Sequence, residues 1–180
     1  MSGWTTPRTW VDDEIVDAAT LNIHIRDNLN ALKNPPSGQV VRDNGTAYST
    51  TSTSFVPVDN TNVKVTLTTN GGDVMVGFTG TARADSTTAR QMSFDVDVDG
   101  NGGWANAQGY AGGIMTTAIQ STIAQGVSFG PILIQNLPAG VHTFTLLWRM
   151  NGGTGYLHSD TNDADYRNEQ PLIFWAREVS

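Results

Sequence analysis

Cysteine is absent from the 180 residues, which excludes disulfides, thiolate metal ligands and thiol nucleophiles together and leaves the redox compartment unspecified. Basic residues are few: 10 Lys and Arg stand against 17 Asp and Glu, for a net charge of −7. They are also scattered, whereas a nucleic-acid backbone needs a clustered positive footprint, so no nucleic-acid partner is expected. No segment approaches the about 20 apolar residues of a membrane span, and the N-terminus MSGWTTPR lacks the apolar run of a signal peptide. The expectation is a chain made in the cytoplasm without membrane insertion. Catalytic signatures are equally scarce. His24, His142 and His158 have no ligand-like spacing, and neither a G-x-S-x-G elbow nor a phosphate loop is present. No enzymatic activity is expected.

What the chain does hold is one helical stretch followed by a long β-rich one. Asp17 is a good N-cap, so a helix is predicted to begin near Ala18; Pro35 and Pro36 stop it at Lys33 or Asn34. Ala18, Leu21, Ile25 and Leu32 fall at a and d of a heptad, with Asn28 at the remaining d position. One polar step in such a seam fixes register and strand number, which suggests a specified oligomer. The alternative is an amphipathic helix lying on its own domain, with Leu29 widening the stripe and Asn28 at its edge. Two heptads are too short to hold chains together alone, so an assembling helix implies an assembling head. Residues 1–16 form an arm carrying Trp4 and Trp10, which need burial on the head, on a neighbouring subunit or on a larger particle. The predicted order is a docking arm over 1–16, a helix over 17–34, a Pro/Gly hinge over 35–38 and a head over 39–180.

In the head the apolar period changes to two. Val63, Val65 and Leu67 alternate with polar residues, and the turn Asn70-Gly71-Gly72-Asp73 leads into an apolar run over 74–79, so these segments are expected to pair as a hairpin. Residues 92–98, 127–137, 141–149, 155–158 and 171–179 read as further strands, the hairpin turn Asn151-Gly152-Gly153-Thr154 preceding 155–158. Pro131 implies an edge or a bulge, and 114–123 is either strand or helical turn. With 54–58 the count reaches about eight. The fold class expected is mainly β, an antiparallel sandwich or jelly roll behind one short α-helix, with the last strand central because both of its faces are apolar.

The residues Trp10, Glu14, Val16, Ala18, Ala19, Leu21, Asn22, Ile25, Arg26, Asp27, Asn28, Leu29 and Leu32, in the pattern TWxxxExVxAAxLNxxIRDNLxxL, resemble an N-terminal segment of many tailed-bacteriophage virion proteins of the minor-tail or fibre type. The segment departs from those relatives near Asp13, where Gly or another small residue is usual, and at Asp17, where Thr or Ser is more frequent. The run 137–144 (LPAGVHTF) and the strand Phe174-Trp175-Ala176-Arg177 are similar to jelly-roll heads of the C1q and tumour-necrosis-factor type at the ends of phage fibres. These resemblances imply a virion component made in the host cytoplasm, a homotrimer, other virion proteins as partners and attachment to the host. They name no catalytic residue.

Asp95, Asp97, Asp99 and Asn101, in D-x-D-x-D-G-N, copy the first half of an EF-hand loop and mark a candidate calcium site. Asn106 occupies the position where that loop needs a bidentate Glu, and the alternative is a strand with Asp on its solvent face. Asp160, Asn162, Asp163 and Asp165 form a second acidic cluster, most simply a solvated loop. Trp104, Tyr110, Tyr156 and His158 lie in or beside expected loops and are candidates for stacking on a host-surface glycan; packing at the sandwich ends is the alternative. No other cofactor is implied. The reading is a non-enzymatic trimeric fibre, spike or tail-tip component whose head contacts the host. Its rivals are a capsid decoration or head-fibre protein without a receptor, and a carbohydrate-binding module or carbohydrate-active enzyme.

Overall fold

The computed structural model describes residues 5–43, 47–120, 124–158 and 170–179. A helix, α1, runs over 18–33 as predicted: the Asp17 carboxylate accepts the Thr20 N–H at 2.6 Å, and Asn34 leaves the helical region (φ −129°) ahead of Pro35. Its ends, Ala18–Leu21 and Asn28–Lys33, are α-helical, but Asn22–Asp27 between them forms a wider π turn. No helix among the described residues is long and apolar enough to cross a membrane.

The head is a sandwich of two antiparallel sheets. The first holds β1 (Ser37–Arg42), β2 (Ala47–Thr50), β5 (Gly72–Ala84), β8 (Gln125–Leu137), β10 (Gly155–His158) and β11 (Leu172–Val179). The 13-residue β5 organises it, pairing with β8 along one edge and, along the other, with β11 at residues 73–79 and β10 at 81–84. β1 adds outside β11, and β2 outside β10. The second sheet holds β3 (Val56–Pro57), β4 (Lys64–Thr69), β6 (Arg90–Val98), β7 (Met115–Ile119) and β9 (Gly140–Met150), with β9 between β6 on one side and β4 and β3 on the other. A short helix, α2 (Trp104–Ala107), follows β6.

Alternating residues of both sheets fill the core between them. Trp148, Phe78, Phe94, Phe144 and Phe174 are fully buried there, and Phe78 of β5 reaches Phe94 of the opposite sheet with ring centroids 4.9 Å apart. Truncating any of these aromatics to Ala leaves a cavity costing about 3–5 kcal/mol.

Among the described residues the strand count is eleven, not about eight. β1 and β2 escape the alternation test because they are short and only one residue in two or four faces the core. Ser37 and Gly38, read as hinge, already belong to β1 and pair with Arg177 and Ala176. As expected, β8 is an edge strand, with a register shift opposite Gly130-Pro131, and β11 is interior. The predicted hairpin between 62–69 and 74–79 does not form: β4 pairs with β9 in one sheet and β5 enters the other. Gly71 (φ 96°) and Gly72 (φ 132°) adopt backbone angles that L side chains resist, and they swing the chain across the sandwich. The Glu178 carboxylate, buried on β11, holds this arch by accepting the Asn70 N–H at 2.8 Å and its amide Nδ2 at 3.0 Å. The turn at 151–154 crosses between sheets in the same way, from β9 to β10.

Candidate functional site

The stem is built by the arm folding back along α1. Asn28 is 5% exposed because its side chain grips the backbone of Thr5: the Thr5 N–H donates to Oδ1 and Nδ2 donates to the Thr5 carbonyl, both at 2.9 Å. Trp10 stands edge-on to His24, with ring centroids 6.3 Å apart, beneath the Arg8 guanidinium, which pairs with Glu14. Trp10 thus packs on its own helix and keeps part of its surface exposed; Trp4 lies outside the described residues. Asp13 sits at φ 63°, the left-handed region that Gly enters most easily.

The π turn changes the seam. A one-residue slip downstream of Ile25 moves the next apolar position from 28 to 29. Asn28 rotates under the arm, and Leu29, 60% exposed, joins Leu21, Ile25 and Leu32 in an open apolar stripe to which Ala18 contributes no buried surface. Of the twelve large apolar residues exposed among the described residues, eight lie in the first 33 positions. Apolar side chains are concentrated where the chain itself does not cover them.

The acidic turn has a different use from the one its string suggests. Asp95 is fully buried on β6; its Oδ1 accepts from Val96 and Ala105 and its Oδ2 from Asn106, at 2.8–3.0 Å. It therefore caps α2 from below, and its outward-facing position on the strand is covered by the 103–113 loop. Asp97 accepts the Gly102 N–H at 3.0 Å, and the Asn101 amide donates to the Val98 carbonyl at 2.9 Å. Asp99, at φ 59°, accepts the Thr143 N–H and faces His142 Nδ1, each at 2.7 Å. The four side chains each tie a different piece of backbone, and among the described residues no group of three His, Cys, Asp or Glu converges as a metal site. The second acidic cluster lies outside the described residues.

His142 is the residue that sequence spacing passed over. Nδ1 faces the Asp99 carboxylate and Nε2 faces the Pro138 carbonyl at 2.8 Å, so the imidazolium, with two N–H donors, satisfies both. The Asp99 hydrogen bond, then the Pro138 carbonyl, raise the ring above the ordinary histidine value against its burial. Burial pushes Asp99 upward, but its bonds to His142 and Thr143 outweigh that and hold it low. The only sequence signal was position: 99 follows β6, 142 opens β9, and the two strands pair.

The four aromatic candidates do not form one surface. Trp104 packs against the core from α2, and Tyr110 is exposed in the same loop. Tyr156 lies on β10 in the other sheet, beneath the Arg83 guanidinium, and His158 pairs through its backbone with Ala47 and Thr81.

No protein-family profile and no curated protein matches the sequence. Among solved structures, the chain is similar to infectious bursal disease virus of the Gt strain, at 12% identity and a TM-score of 0.33 over 81% of this chain. The VP2 subviral particle of the same virus aligns at 10% identity and a TM-score of 0.36 over 82%, and the Gx strain at 12% and 0.33 over 82%. The alignments cover 36% to 38% of those longer chains, so this chain spans little more than a third of their length. At these scores the likeness carries no statement about function.

Proposed function

We propose that the chain is a non-enzymatic structural protein of a tailed-bacteriophage virion, trimeric, with the arm and helix as its assembly stem and the sandwich as an outward head in a fibre, spike or tail tip. The open stripe of Leu21, Ile25, Leu29 and Leu32 carries this reading, because it lies within the segment that resembles phage virion proteins and stays 42–60% exposed in the described chain. Trp10, partly exposed at the stem, suits contact with another virion protein. Light scattering of the full chain tests the reading directly. The wild type is expected at three times the monomer mass, and Ile25→Asn with Leu29→Asn at the monomer mass with an unchanged circular dichroism spectrum. A wild-type chain that stays monomeric at every concentration sinks the trimer. Binding of the full chain to host cells or surface glycans separates host attachment from a decoration role.

A further inference from the structure

β11 carries apolar residues on both faces, and the core covers only one of them. Leu172, Phe174 and Ala176 point inward and are fully buried, while Ile173, Trp175 and Val179 lie on the outer face of the first sheet, partly buried. Pairing sets Ile173 beside Val41 of β1, and Met75 of β5 beside Leu133 of β8. The result is an apolar band across four neighbouring strands, in which Val41 is 44% and Leu133 37% exposed. The second sheet supplies the contrast: β4 turns Lys64, Thr66 and Thr68 outward, the polar alternation of a sheet that faces water.

Two details shape the band for contact. A Cβ at Gly77 would lie 2.5 Å from Trp175 ring atoms, so the bare glycine lets the indole lie down across β5 and keeps the face flat. Arg177 and Asp73 occupy the same face as diagonal neighbours, one charge of each sign, so the pair adds no net charge to the face although the chain carries −7.

We propose that this outer face is where the head of one copy meets a second copy of the chain. The inference rests on the self-associating stem proposed above and deepens it. Area favours this occupant. The band spans about 15 Å across the strands and about 20 Å along β11, on the order of 300 Å². The stem stripe, about 24 Å long and about 10 Å wide, adds on the order of 200 Å². A stable interface covers at least about 600 Å² per partner, so neither surface is sufficient alone and the two together approach it.

The test uses the full chain. Val41→Lys and Leu133→Asp are each expected to weaken the assembly at least ten-fold by sedimentation equilibrium, while Val141→Lys, on the outer face of the second sheet, leaves it unchanged. Because the chain lacks cysteine, a milder pair reads the same surface: the thiol of Val41→Cys is shielded from a maleimide in the assembly and reacts on dilution, whereas that of Val141→Cys reacts throughout. If the assembly persists in Val41→Lys and Leu133→Asp, and the thiol at 41 reacts like that at 141, the proposal is overturned. Loss of assembly in the stem variant under those same conditions would leave the stem reading standing. A monomeric wild type overturns both.

Discussion

Gly103 and Asp95 make a pair whose coupling can be worked out before it is measured. Gly103 has φ −60° and ψ 124°, a conformation open to any residue, so its backbone does not require glycine. Space does: a Cβ there would press on Asp95 Oδ2 and Cγ, and on Asn106 Cβ at 3.3 Å. Overpacking of this kind costs about 1–3 kcal/mol, so Gly103→Ala is expected to destabilise the head by about 2 kcal/mol. Asp95→Ala removes the acceptor from the Val96, Ala105 and Asn106 N–H groups, and the two buried bonds, from Val96 and Ala105, at about 1–3 kcal/mol each give about 3 kcal/mol after the released carboxylate is allowed for. The double variant is where the structure commits itself. With the Asp95 carboxylate gone only Asn106 Cβ, at 3.3 Å, still faces the new methyl group, so Gly103→Ala in that background costs little, the residual crowding being offset by restriction of the unfolded chain. The two losses are therefore non-additive by about 2 kcal/mol. Urea unfolding followed by the fluorescence of buried Trp148 reads this as midpoints separated by about 1 M at slopes of about 2 kcal/mol per molar. Losses that add within about 0.5 kcal/mol would refute the contact.

The His142 clasp predicts a pH dependence with two flanks. The raised histidine stabilises the fold fully below its unfolded value of about 6.5 and loses that contribution as pH rises through the folded value; lowered Asp99 contributes above about 3.9 and loses it as pH falls through its own folded value. His142→Gln is expected to flatten the alkaline flank of the melting temperature, and an imidazole titrating below 6.5 by NMR would contradict the doubly donating ring. Asn28→Ala is expected to free the arm, giving protease cleavage near residues 5–10 while the melting temperature of the head is unchanged; an arm that stays protected would mean that the Thr5 clasp does not hold it.

The limits of the helix were legible because Asp17 and the Pro35-Pro36 pair act on neighbouring residues. The π turn was not legible, since nothing local marks residues 22–27, and with it went the choice between Asn28 and Leu29 on the seam. Alternation gave the inward residues of β4 and the position before it (Val63, Val65, Leu67), of β6 (Met92, Phe94, Val96) and of β9 (Phe144, Leu146, Trp148) correctly, whereas β5 showed only an apolar run. It could not tell which sheet each strand enters, so an Asn-Gly-Gly arch between sheets read as a hairpin. The outward parity of Asp95 was likewise right, but its cover comes from residues that follow it, and alternation within one strand carries no information about a loop folded over it. Glu178 was hidden by its charge: an acidic residue at an inward position of an apolar strand has a reason only once Asn70 is placed beside it.

The arrangement of β1 also sets the order in which the head can be completed. Its whole register is with β11, Ser37 opposite Arg177, a partner some 140 residues further along the chain. Until β11 is made, the strand rooted to the helix has no place in the sheet, and the edge of β5 with which β11 will pair is open. Closure of so distant a contact is slow and comes late in folding. The helix is thus made early and joined to its head late.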